Sequence, residues 1–195
     1  MSVTHTVVAV DVPKKGHEVL LTDNWVNANM PWAEWTGATY RHLSVPDTTN
    51  GQAIADARWT TLGDGTAVYA LQSGDRPDRR QAATWKKMEE GVVEFDLKKP
   101  RDLTRIFLWE AKTRDRTEAP VSVKLSYSTD GETFTEPEER QIEWGEEEKP
   151  GVSREAEIPF PAKAARYVRL AFHANPANRQ KVMRLDEVWI MGLGE

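Results

Sequence analysis

Val121-Ser-Val-Lys-Leu-Ser-Tyr127 decides the fold class. Val121, Val123, Leu125 and Tyr127 fall on one side of an extended chain and Ser122, Lys124 and Ser126 on the other, because successive side chains of a strand point to opposite faces. A strand with one apolar and one polar face covers a core on one side and meets solvent on the other. The next residues, Ser128-Thr-Asp-Gly-Glu-Thr-Phe134, contain an Asp-Gly pair that supplies the positive φ angles of a tight hairpin turn. A returning strand is therefore expected through Phe134.

Working outward, residues 92–97 alternate, with Val93, Phe95 and Leu97 on one face. Residues 105–109 (RIFLW) are apolar on both faces, as a central strand would be, and residues 98–101 connect the two. Residues 166–172 place Val168, Leu170 and Phe172 together, and residues 185–191 (LDEVWIM) pair Val188 with Ile190. Short strands separated by Gly, Pro and Asp-rich turns predict an all-β sandwich. Residues 81–90 read differently: Trp85 and Met88 stand at helical spacing near Ala82, which predicts a short helix or a structured loop. Residues 1–39 form an N-terminal extension, with strand-like segments at 6–12 and 17–25 that pair as a hairpin, then a polar and aromatic connector. The extension either adds strands to the sandwich or belongs to a neighbouring domain, and residues 40–195 are the sandwich.

A chain of 195 residues buries a real core without covalent staples, and the absence of Cys excludes disulfides, thiolate metal sites and cysteine nucleophiles. Net charge is −5 with no basic stripe, so nucleic acid is not an expected partner. The apolar runs are shorter than a bilayer span, and the first residues do not read as a signal peptide. The expectation is a soluble chain, either cytoplasmic or a fragment of an exported bacterial protein without its leader; an extracellular or periplasmic place fits a recognition role better. The four His, at 5, 17, 42 and 173, lack metal-ligand spacing, and no nucleophile elbow, phosphate loop or dinucleotide fingerprint occurs. A non-catalytic chain is expected.

Five pieces in order carry a resemblance: Leu62-Gly-Asp-Gly65; Trp85 ahead of Val93-Glu-Phe-Asp-Leu97; Ser126-Tyr-Ser-Thr-Asp-Gly-Glu-Thr-Phe134; Ala165-Arg-Tyr-Val-Arg-Leu170; and Leu185-Asp-Glu-Val-Trp-Ile190. From Tyr40 to Gly192 the chain resembles the discoidin, or coagulation-factor C-type, domains and the related family 32 carbohydrate-binding modules. Gly63 stands where that family commonly has Thr, and between Gly65 and Val92 Trp85 is the one residue that carries the resemblance. The resemblance implies a galactose-binding-like jelly roll with ligand residues on variable loops. It also implies a structural calcium ion held by backbone carbonyls and two carboxylates, here Asp64 and Glu187, since calcium takes six to eight hard oxygens in flexible geometry.

Sugar recognition needs an aromatic face against the apolar side of a pyranose and a few planar donors and acceptors for its hydroxyls. Loops at 72–85, 110–119 and 173–181 offer these groups: Trp85 as the aromatic platform, preferred over Trp144, with Arg114, Arg116, His173, Asn175, Asn178 and Arg179 as polar contacts. Arg79 and Arg80 add positive charge, which makes an acidic glycan a reasonable variant. Trp109 and Trp189 lie in strands and are read as core or sheet-packing residues, while Trp25, Trp32 and Trp35 seal the extension onto the sandwich. The leading expectation is a carbohydrate-binding module that holds a glycan or oligosaccharide through loops at one end of the sandwich. The alternative is a protein-interaction or structural accessory domain of a larger exported enzyme, marked by a large exposed apolar patch. A small hydrolase would instead need carboxylates or His clustered on adjacent strand ends.

Overall fold

The computed structural model describes residues 16–22, 37–44, 60–61, 83–111, 115–146 and 154–194. In chain order these form β1 (Glu18–Leu20), β2 (Thr39–His42), β3 (Thr60–Thr61), β4 (Ala83–Lys86), β5 (Glu90–Glu110), β6 (Ser122–Ser128), β7 (Glu138–Gln141), β8 (Glu155–His173) and β9 (Val182–Leu193), with one 3-10 turn at Arg116–Glu118. Every pairing is antiparallel.

Two long strands serve both layers of the sandwich. In its first half β5 lies between β2 and the second half of β8, and β6 and then β7 follow outward. In its second half β5 lies between β9 and the first half of β8. The β5–β8 register breaks repeatedly between Asp96 and Arg105, and the backbone takes positive φ at Lys98 (69°) and Ala164 (51°), so both strands turn a corner there. The segments 92–97 and 105–109, expected as two strands, are thus halves of one, and residues 98–101 are the corner between layers. The free edge of β9 carries both β1 and β4, so a piece of the N-terminal extension adds a strand to the sandwich.

The alternating pattern fills the space between the layers. Val93, Phe95 and Leu97 from one layer and Ile106, Leu108 and Ile190 from the other are all inaccessible to solvent and share one cluster with Val168, Leu170 and Phe172. Each such side chain contributes about 1.5–3 kcal/mol on leaving water. The layers meet closely at Gly91, where a Cβ atom would lie 2.7 Å from Met183 Cε and 2.8 Å from the Trp85 ring.

Two local expectations are corrected, and of two alternatives for a tryptophan pair one holds. Residues 83–86 are a strand rather than a helix, because pairing with β9 buries Ala83, Thr84 and Trp85 together, a tertiary demand that outweighs helical spacing. The hairpin after β6 is wider than a two-residue turn. Gly131 takes φ 82°, Asp130 Oδ1 accepts from the amides of Glu132 and Thr133 at 2.8 and 2.9 Å, and the return strand begins only at Glu138. Phe134 therefore stands outside the ladder. Trp109 and Trp189 pack against each other, ring centroids 4.4 Å apart, and Phe107 and Trp189 belong to a small cluster with Leu20 and Met191, separate from the main core. Theirs is sheet packing, not core filling. No helix among the described residues is long and apolar enough to cross a membrane.

Candidate ligand-binding end of the sandwich

Strand register decides which connections share an end. Glu90, His173, Ser122 and Gln141 stand in one row across the first layer, and Lys86 pairs with Val182 and Glu110 with Leu185 in the second. The 3-10 turn, residues 142–146 and the loop 174–181 all emerge there.

The loop 174–181 is shaped from within. Asn175 Oδ1 accepts from the Ala177 amide at 2.9 Å, and Asn178 Oδ1 accepts from the amides of Gln180 and Val182 at 3.0 and 3.2 Å. The other side of the Asn178 amide donates to Thr117 Oγ1 at 3.1 Å, which ties this loop to the 3-10 turn. Asp115 caps that turn, accepting from the hydroxyl and the backbone amide of Thr117. Those two bonds, the hydroxyl's first, hold the Asp115 carboxyl below its ordinary pKa. Two of the loops nominated from sequence are thereby brought together.

Beside them lies a buried carboxylate with two guanidinium partners. Glu110, 1% exposed, accepts from Arg154 Nε and Nη2 at 2.9 and 2.7 Å and also from Arg116. Removing a carboxylate from water is costly unless its charge is compensated and its lone pairs are used, and here both conditions hold. The trio carries one net positive charge at the surface. Half-buried Trp144 adjoins it: its indole N–H donates to the Pro120 carbonyl at 2.9 Å, and the Arg154 guanidinium lies 6.0 Å from its ring centre. Further along, His173 Nε2 sits 3.2 Å from Glu90 Oε2, and Val121 N donates to the His173 carbonyl at 3.0 Å.

Of the nominated residues, Trp85 needs correction. It is wholly buried under Gly91 and Met183, with its N–H given to the Ser44 carbonyl at 2.7 Å, so it offers no face to a ligand. Asn178 is also corrected: at 4% exposure its amide is spent on organising the loop. Arg116 is engaged by Glu110, His173 faces Glu90, Asn175 is half-exposed and shapes the loop, and Arg179 is exposed. Arg114, Asp64, Arg79, Arg80, Trp25, Trp32 and Trp35 lie outside the described residues. Glu187 pairs with Trp109 in the β9–β5 ladder, and its side chain is likewise outside the description. Among the described residues no three His, Cys, Asp or Glu side chains are grouped to hold a metal ion. Sequence reasoning passed over Glu110 and Arg154 and ranked Trp144 second. The available signal was a glutamate closing the apolar run Ile106 to Trp109, which requires a cationic partner wherever that strand end is covered.

Two antiparallel layers with crossing strands and a polar, loop-built end define a jelly-roll β-sandwich of the galactose-binding-like class. The chain belongs to the F5/8 type C domain family, whose model matches residues 52–188. Among solved structures it is similar to an F5/8 type C domain from Bacteroides fragilis, with a TM-score of 0.54 and 13% identity over 84% of this chain and 96% of that one. It is also similar to a family 29 fucosidase from Ruminococcus gnavus in complex with fucose, with a TM-score of 0.50 and 15% identity over 82% of this chain but 26% of the enzyme. A Clostridium perfringens family 32 module in complex with GalNAc-β-1,3-galactose gives a TM-score of 0.49 and 14% identity over 79% of this chain and 94% of that one. At these identities the likeness is one of fold. No curated protein matches the chain in sequence.

Proposed function

We propose that this chain is a non-catalytic carbohydrate-binding module of an exported bacterial protein, acting outside the cytoplasm, that holds a glycan at the end built from Trp144, Arg154, Arg116 and the loop 174–181. The observation that carries the reading is the pinned aromatic beside two guanidinium groups fixed by Glu110. A half-exposed indole covers the apolar face of a pyranose, and oriented guanidinium forks donate to vicinal hydroxyls or to a uronic carboxylate. Because Glu110 holds both arginines in the free protein, little side-chain freedom is lost when the sugar arrives. Asn175, His173 and Arg179 border the same end and extend the polar rim. Membership of the F5/8 type C family supports this placement, since the family presents ligands to loops rather than to a catalytic cleft. In the same proposal, Asp64 and Glu187 supply carboxylates to a structural calcium ion.

Calorimetric titration of the full chain with galactosides, galacturonides and fucosides tests the reading. Saturable binding to at least one class supports it, and silence across the whole panel contradicts it. For calcium, the measurement is the unfolding temperature with the ion or with a chelator: a rise with calcium that is lost in Asp64→Asn supports the site, and equal temperatures contradict it.

A further inference from the structure

A second surface, away from the loop-built end, has the form of a binding site. On the outer face of the first layer an open groove of about 650 Å³ runs from Leu43 and Ser44, just past β2, across β5 and β8 to β6. That volume lies within the range of small-molecule sites, about 300–1,000 Å³. Val92 and Ala171 form its floor, Leu43 and Ser44 one wall, and the segment from Phe134 to Pro137 the other. Four adjacent strands span three spacings, roughly 14 Å, which is longer than a single sugar ring. The far wall exists because the wide turn after β6 holds Thr135 against Tyr127, with Thr135 N donating to the Tyr127 carbonyl at 2.9 Å.

The groove is preorganised by a charge that folding alone does not require. Glu94, 1% exposed on the central strand β5, uses one carboxylate oxygen for Arg41 (3.0 and 2.7 Å) and the other for Arg169 (3.0 and 2.6 Å). Arg169 in turn lies 3.7 Å from the centre of the Phe134 ring. A buried ion pair of this kind is weak support for stability, and hydrophobic side chains of like volume often replace one at no loss. Its consequence here is positional: it fixes a guanidinium and an aromatic ring at the groove wall.

We infer that this groove is a second saccharide-binding site, suited to a neutral oligosaccharide of two or more sugars. Its lining matches cations Arg169 and Lys124 with anions Glu90 and Glu136, so no net charge selects an ionic ligand. It mixes donors with the acceptors and hydroxyls of Ser126 and Thr135, as a polyhydroxylated ligand needs. Glu90, Lys124, Glu136 and Arg169 interrupt the apolar lining of Leu43, Val92, Phe134 and Pro137, which disfavours the continuous apolar face of a helix or a lipid chain, and strand addition requires a sheet edge rather than a face. The inference rests on the carbohydrate-binding reading but places the ligand on a different surface.

The experiment follows backbone amide shifts of the 15N-labelled full chain on adding neutral di- to tetrasaccharides of galactose, glucose and N-acetylglucosamine. Saturable shifts at Val92, Ser126 and Ala171 are expected. Lys124→Ala should weaken that response about tenfold, the scale of one lost charged hydrogen bond. Ala171→Trp should fill the groove and abolish the response while the amides of residues 174–181 still shift. Should Ala171→Trp fail to fold, Lys124→Ala decides. Shifts confined to residues 115–119 and 174–181 would overturn the groove and leave the end site standing; no shifts anywhere would overturn both. Groove shifts undiminished in Lys124→Ala and in a folded Ala171→Trp would also overturn it.

Discussion

Replacing His42 by Phe should remove most of this domain's sensitivity to mildly acid pH. His42 lies between Tyr40 and Trp85, ring centroids 5.6 and 5.8 Å away, is 4% exposed, and has no hydrogen-bond partner at either ring nitrogen. Burial disfavours the charged ring and lowers its pKa from 6.5 to about 4. Between those values the unfolded chain binds a proton that the folded chain refuses, so stability is fully present above pH 6.5 and falls as the pH drops. For this pair of values the loss from pH 7.5 to 4.5 is about 2.5 kcal/mol. The lowered carboxylates act further down. Asp130, held at about 2 by the Thr133 amide and then by the Ser128 hydroxyl, and Glu18, lowered chiefly by its hydrogen bond from Arg105, titrate in the fold below the ordinary carboxylate range. Urea unfolding followed by tryptophan fluorescence at pH 7.5, 6.5, 5.5 and 4.5 measures the effect. Phe keeps an aromatic ring between Tyr40 and Trp85 and breaks no hydrogen bond. The variant should therefore match the parent at pH 7.5 and lose little stability down to pH 4.5. An equal acid loss in both proteins would refute the reasoning.

Gly91→Ala should destabilise the sandwich by about 1–3 kcal/mol, read as a lower urea midpoint, because the new methyl meets the Trp85 ring and Met183 Cε inside 3 Å. Glu110→Gln should cost about 2–4 kcal/mol and loosen Arg154 and Arg116, since one buried partner of an ion cluster is removed while its guanidinium groups remain partly covered. Thermal melts would give the first effect, and the mobility of Arg154 in side-chain NMR the second; an unchanged melt with an ordered Arg154 would contradict it.

The fold was legible because its signal is periodic. Alternation in residues 92–97 and 166–172 identified the core faces, and Val93, Phe95, Leu97, Val168, Leu170 and Phe172 are inaccessible to solvent. In residues 121–127 Val123 and Leu125 are buried as expected, but Val121 and Tyr127 are half-buried and Ser122 and Ser126, expected on the solvent face, are buried. Strand continuity was not legible, since the corner at 98–101 has the Lys, Pro and Arg of an ordinary loop, and only pairing with β8 on both sides makes β5 one strand. The candidate site was half legible. Asn178 and Thr117 belong to two loops chosen for their polar residues, but sequence gives no reason for an Asn amide to point inward, where it now holds those loops together. Trp85 and Trp144 looked alike as loop-flanking indoles. Their difference arises from contacts distant in sequence: Trp85 is covered by β9 and Gly91, whereas Trp144 follows the edge strand β7 and stays half-exposed. The burial of Glu94 and Glu110 was not legible, because their arginine partners are 44 to 75 positions away, apart from Arg116.

Glycan capture is tested most directly by titrating the parent chain and Trp144→Ala with whichever saccharide of the panel binds the parent most tightly. If the loop-built end holds the ligand, truncating the indole should weaken binding about tenfold or more, as loss of a central aromatic contact does, with no change in the circular dichroism of the sheet. Undiminished affinity in a folded Trp144→Ala chain would contradict the assignment.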